Sequence, residues 1–241
     1  MFSPFILFFY LFDQFTTEWQ AQVRKLNSNF FADRMFPAEL ISYINTILII
    51  IFIPVLNYLI YPFIQKRGWH FRLLDRMAVG YFFVLLSFVA YNILDLFITD
   101  NILKFQVEHD FLAGEDELMA CRNCLSWFWQ LPQLVLLSFG EALLSPSGLE
   151  FAYSQVGPQM KASSASIWFL TSAIGNFLIS LSELVFTKYQ NILPWFYVGT
   201  SLLGFLWLLL LKRYYFVYKE DEYEVYDDEE TFSVSHDERE H

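Results

Sequence analysis

Cysteine, histidine and charge are all scarce in this chain. Of 241 residues, two are cysteine, four are histidine and only 17% are charged. Cys121 and Cys124 form a lone C-x-x-C in a polar stretch. A structural zinc site needs two more ligands, and no nearby pair supplies them at a suitable spacing. The pair reads as two free thiols, or as a local disulfide if that loop faces an oxidising compartment. His70, His109, His236 and His241 are scattered, and no H-E-x-x-H occurs. No nucleophile–base pair or phosphate-binding loop is apparent, so an enzyme is disfavoured and no cofactor is expected. The basic clusters are too short to suggest nucleic acid. MFSPFILFFYLF at the start lacks the basic flank and small-residue cleavage site of a secretory signal. No internal repeat is visible.

Apolar residues are abundant instead. The chain is 56% hydrophobic and 20% aromatic, with 28 phenylalanines, which is too apolar for an ordinary water-facing domain. Six apolar segments emerge, at about 2–20, 38–64, 76–98, 125–151, 163–186 and 193–211. Several approach or exceed the roughly 20 residues that cross a bilayer. Lipid forces backbone groups to bond within a helix or around a closed barrel, and the alternation of barrel strands is absent. The expectation is an all-α membrane protein, a bundle of six transmembrane helices over residues 1–218, in contact with lipid. Pro54, Pro132 and Pro146 fall inside segments and predict kinks.

The net charge of −11 is concentrated at one end. Residues 219–241 hold eleven acidic and two basic residues, and the rest of the chain is nearly neutral. That tail has the composition of a disordered segment. The densest basic cluster, QKRGWHFRLLDR, carries Lys66, Arg67, Arg72 and Arg76. The positive-inside rule assigns it to the cytoplasm, and alternation then puts both termini there too. The loop at 99–123, acidic around GEDE, would be external. A multi-pass protein with this orientation, with the plasma membrane as the expected host, follows.

Polar residues inside apolar helices are costly. A charge at the centre of a spanning helix costs about 3 kcal/mol on insertion scales, so it usually faces protein or a wet cavity. Glu141 lies sixteen residues past the start of segment 125–151, near the expected midplane. It is either packing glue bonded to a neighbouring helix or a cavity-facing acid that binds a cationic group or a proton. Burial raises a carboxyl pKa and a bound ammonium lowers it again, so one carboxylate can respond to both. Asn45 and Asn57 lie in the second segment, Asp13, Gln14 and Trp19 in the polar part of the first, and Trp168 in the fifth. Both tryptophans read as core or interfacial residues by spacing alone.

Several of these stretches resemble one family. FFYLFDQFTTEWQAQ looks like the seventh helix of the proton-coupled oligopeptide transporters, a branch of the major facilitator superfamily. NTILIIIFIPVLNYLIYP looks like the eighth, and RMAVG opens the ninth. WQLPQLVLLSFGEALLSPSGLEFAYSQVGPQMKASSASIWFLTSAIGN is similar to the tenth and eleventh throughout. The resemblance implies the C-terminal half of a major facilitator fold. It also implies that Glu141 faces a central cavity and engages a peptide's amino terminus, and that Asn45 bonds the peptide backbone. Trp19 and Trp168 would shape side-chain pockets, with Ser172 one turn beyond Trp168 on the same face.

The chain departs from the family pattern in places. Thr16 and Thr17 stand where Gly-Ser is common, and β-branched residues stiffen that turn. Asn57 is neutral where many relatives have aspartate. The large external domain of animal members, between helices nine and ten, is replaced by the short loop 99–123. The E-x-x-E-R motif of the family's other bundle does not occur here. The expected function is proton-coupled transport of di- and tripeptides, as a fragment or half of a transporter, with H+ as coupling ion and an N-terminal six-helix bundle as the missing partner. The alternative is a non-transporting membrane scaffold or regulatory half-transporter.

Overall fold

A computed structural model describes residues 3–26, 29–31, 34–35, 37–67, 72–109, 125–154, 156, 158–186 and 192–214. The C-x-x-C pair, His70, the GEDE loop and the acidic tail lie outside the described residues.

The first segment is a broken helix. α1 (Ser3–Phe12) passes through a 3-10 turn (Asp13–Thr16) into α2 (Glu18–Arg24). The break falls at the two threonines, where Thr17 has φ −113° and ψ −82°. Their hydroxyls turn back on the preceding turn, Thr16 donating to the Asp13 carbonyl at 2.7 Å and Thr17 to Gln14 Oε1 at 2.9 Å. Such local bonds compete with the helix ladder. A short antiparallel ribbon follows, β1 (Asn29–Phe31) with β2 (Arg34–Met35). This polar connection lacks the periodicity that would have announced strands.

The second segment runs continuously over Leu40–Lys66. It comprises α3 (Leu40–Val55), a π turn (Leu56–Ile60) and α4 (Tyr61–Lys66). Pro54 removes one ladder N–H, and the widened turn directly after it absorbs the irregularity. α5 (Leu73–His109) extends eleven residues beyond the expected end at 98, since no glycine or proline lies between Gly80 and Gly114 to stop it. A 3-10 turn (Trp127–Gln130) leads into α6 (Leu131–Ser154). Pro132 is thus the second residue of α6, where its missing N–H is harmless. It starts that helix rather than kinking it, contrary to expectation. Pro146 does lie inside. α7 (Lys161–Phe186) and α8 (Leu193–Tyr214) complete the fold.

Among the described residues, five helices are long and apolar enough to cross a membrane, which marks a multi-pass membrane protein. The first segment falls short by continuous helix length because of its break. α5 and α6 form the centre. They cross at mutual glycines: a Cβ at Gly80 would sit 2.8 Å from the Gly140 carbonyl oxygen, and one at Gly140 would sit 2.7 Å from that of Gly80. Close approach of backbones through small residues is the usual way helices pack in lipid. Around this axis an aromatic core gathers Phe5, Phe8, Trp19, Tyr81, Phe88, Tyr91, Trp168 and Tyr197. The second segment is peripheral, and Ile47, Ile50, Ile51, Tyr58, Leu59 and Phe63 are exposed along it. An ion pair between Asp75 and Lys212 ties the start of α5 to the end of α8.

Candidate functional site

Asn45 and Glu141 meet where α3 packs on α6. Asn45 is 3% exposed, and its Nδ2 donates to Glu141 Oε2 at 3.3 Å. On the other side of the amide, the Ser138 hydroxyl lies 2.5 Å from Asn45 Oδ1 and 2.8 Å from the Leu134 carbonyl. Ser138 thereby holds the amide with its N–H groups toward the carboxylate. Ser138 and Glu141 are three residues apart, hence neighbours on one helical face. Glu141 is half-buried. Among the described residues it receives this hydrogen bond and forms no ion pair. Its free carboxylate oxygen can accept a further charged donor, such as an ammonium group.

A second polar set lies close by. Asn176 on α7 donates its Nδ2 to Asp13 Oδ2 at 2.8 Å, and the same nitrogen lies 3.2 Å from the Ser172 carbonyl. Asp13 sits in the helix break, within electrostatic reach of Glu141. Ser172 is half-buried and enters this set through its backbone. The two carboxylates lie on different segments, each held by one asparagine amide.

The tryptophans are placed differently. Trp168 is 4% exposed, with its ring centroid 4.7 Å from Phe5 and 5.5 Å from Phe9. Its indole lies over Gly148, and any side chain there would collide with the ring. Gly148 is two turns beyond Glu141 on α6, so Trp168 packs on the Glu141 helix. Trp19 is 1% exposed, stacked on Tyr91 at 5.9 Å and tilted against Phe88 at 5.6 Å. The structure thus joins Asn45 to Glu141 directly. Ser172 belongs to the neighbouring Asp13 set, and both tryptophans lie in the aromatic core.

A cavity of about 70 Å³ lies further along the α3–α6 interface. Asn57, Tyr61, Arg76, Pro146, Ser147 and Glu150 line it. The π turn and Pro146 both border this space. The Arg76 guanidinium lies 4.2 Å from the Tyr61 ring centroid. Sequence reasoning missed Ser138 and Asn176. The S-x-x-E spacing on α6 would have found the first, whereas nothing local distinguishes the second. Among the described residues, no group of three His, Cys, Asp or Glu could hold a metal ion.

The chain is similar to known proteins over most of its length. The POT family profile matches residues 1–198. A probable peptide transporter of Schizosaccharomyces pombe is 26% identical over 201 residues, covering 83% of this chain and 30% of that protein. Peptide transporter 3 of Caenorhabditis elegans is 34% identical over 122 residues, 51% of this chain and 17% of its own length. The crystal structure of an auto-inhibited POT family peptide transporter superposes with a TM-score of 0.68 at 29% identity, covering 88% of this chain and 39% of that one. The chain therefore spans well under half the length of each of these relatives.

Proposed function

The chain belongs to the POT family, and we propose that it is one half of a peptide transporter. In this reading it forms the C-terminal six-helix bundle of a major facilitator fold, driven by protons and completed by an N-terminal bundle. The broken first segment supplies the sixth spanning element alongside the five long helices. Membership in a transporter family also argues against an enzyme.

The Asn45–Glu141 pair carries the proposal. A carboxylate this deep in an apolar helix needs a polar partner in every state. Asn45 gives it one neutral donor, oriented by Ser138, and leaves its charge available. The amino terminus of a di- or tripeptide is an ammonium group of suitable size and charge. When no peptide is bound, a proton on Glu141 neutralises the same carboxylate, so proton and substrate act on one group. Asp13 and Asn176 extend this polar surface, and Trp19, Trp168 and Ser172 support it by shaping the helices around it.

The test is uptake of a labelled dipeptide into proteoliposomes containing the complete transporter. Glu141→Gln should abolish or strongly reduce uptake while membrane insertion stays normal. Unchanged gradient-driven uptake in that variant would overturn the assigned role. The scaffold reading draws its support from the neutral Asn57 beside Arg76 and from the helix break at Thr16 and Thr17. It predicts a chain that inserts, binds partners and moves no peptide.

A further inference from the structure

Three buried glutamines at the far end of the bundle from the Asp75–Lys212 pair have no part in the site described so far. Gln22, Gln130 and Gln133 are 2%, 3% and 1% exposed. Gln130 Nε2 and Gln133 Nε2 both donate to Gln22 Oε1, each at 3.1 Å. Gln22 Nε2 donates in turn to the Tyr91 carbonyl on α5 at 3.3 Å. Gln130 Nε2 also lies 2.9 Å from the Trp19 carbonyl. Three elements, α2, α5 and the start of α6, are therefore laced together by neutral amides.

This placement follows from the sequence. Gln22 is three residues after Trp19, so both occupy one face of α2. Gln130 ends a 3-10 turn and Gln133 lies in the first turn of α6, with Pro132 between them. The tight turn brings both side chains to one acceptor. Among themselves the amides supply donors and an acceptor without the desolvation cost of charge, and at the edge of the clasp Gln22 also bonds the Asp95 carboxylate on α5. The clasp also stands next to a discontinuity. α1 lies close on α7, where a Cβ at Gly175 would be 2.8 Å from the Tyr10 nitrogen. α2, beyond the break, is held by α5 and α6 instead.

We propose that Gln22, Gln130 and Gln133 are positioning residues that lock the outer half of the broken first helix onto the helix carrying Glu141. Gln133 and Glu141 lie eight residues apart on α6, about 12 Å along its axis. Gln22 and Trp19 share α2. The clasp is thus a direct hydrogen-bonded link between the elements that hold Trp19 and Glu141, and it sets their separation. This link to substrate rests on the transport reading; the clasp itself does not.

Hydrogen exchange of the full chain in detergent micelles tests the clasp without transport. Gln22→Met removes the acceptor shared by two buried amides, leaving Gln133 Nε2 without one and Gln130 Nε2 with the Trp19 carbonyl alone. Backbone amides of residues 18–26 should then exchange at least about tenfold faster, the change that 1.4 kcal/mol produces, with α1 and α7 unchanged. The triple variant Q22M/Q130M/Q133M removes donors and acceptor together and should exchange more slowly there than Q22M alone, because matched apolar replacement is nearly neutral. Unaltered exchange in Q22M, or a triple variant worse than the single one, would overturn the clasp. Uptake by the complete transporter tests the link to the site. Q22M should raise the KM for dipeptide, and should have no further effect on KM in a Trp19→Phe background. An additive KM effect, or less folded protein at unchanged KM, would reduce the glutamines to packing. An unmutated transporter that moves no peptide would overturn the transport reading, and the exchange result would still decide the clasp.

Discussion

Replacing Glu141 by glutamine removes a charge and almost nothing else. The new amide oxygen can still accept from Asn45 Nδ2, so the 3.3 Å bond and the Ser138–Asn45 contact survive. The fold should therefore be intact, with thermal unfolding close to that of the unmutated protein. What disappears is the charge that, in the proposed role, faces a peptide ammonium. A hydrogen bond to a charged group contributes about 1.5–3 kcal/mol. At 1.4 kcal/mol per factor of ten, that is roughly a 10- to 150-fold loss in uptake efficiency. The assay is initial-rate uptake by proteoliposomes at several dipeptide concentrations. A second substrate sharpens it: a dipeptide with an acetylated amino terminus has no ammonium to lose. For that substrate the ratio between unmutated protein and variant should be several-fold smaller than for the free peptide, because only the proton on Glu141 is then lost and not the ammonium contact. Loss of the free peptide and the blocked peptide in equal proportion would refute the pairing, as would retention of uptake within about threefold.

Other outcomes follow from the packing. Gly80→Ala forces a methyl against the Gly140 carbonyl at the α5–α6 crossing and should lower stability by about 1–3 kcal/mol, read as a drop in Tm in detergent. Asp75→Asn breaks a partly exposed ion pair with Lys212 and should cost no more than about 1 kcal/mol; a larger loss would show that the pair holds the bundle closed. Trp168→Ala opens space beside Phe5 and Phe9 and should cost about 3–5 kcal/mol, far more than Ser172→Ala. In intact cells, a membrane-impermeant thiol reagent applied outside should label Cys121 and Cys124, directly or after mild reduction. Labelling only after permeabilisation would reverse the orientation drawn from the basic loop.

Legibility varied with the kind of force involved. The long apolar runs announce themselves by composition, and Leu40–Lys66, Leu73–Asn101 and Lys161–Phe186 are helices for the reason the sequence suggests. Glu141 was conspicuous because lipid makes a carboxylate expensive, so depth alone singled it out. Its hydrogen bond to Asn45 spans 96 positions in the chain and no local pattern encodes it. The break at 13–17 had only the two threonines as a sign, and their turn-back bonds needed coordinates. Pro132 was misread because a proline starting a helix and one bending it look alike until the 3-10 turn at Trp127–Gln130 sets the register. Trp19 and Trp168 show the same limit. Spacing alone reads them as core or interfacial and only the family resemblance makes them pocket walls, while the aromatic partners that enclose them come from distant segments.

The most direct test starts from the assembly as cells make it. An antibody to residues 219–241 should capture the native assembly, which is then reconstituted into liposomes with an inward proton gradient. Accumulation of a labelled dipeptide, collapsed by a protonophore, is the expected result. A captured assembly that inserts normally, yet gathers no more peptide with the gradient than without it, would contradict proton-coupled peptide transport by this chain.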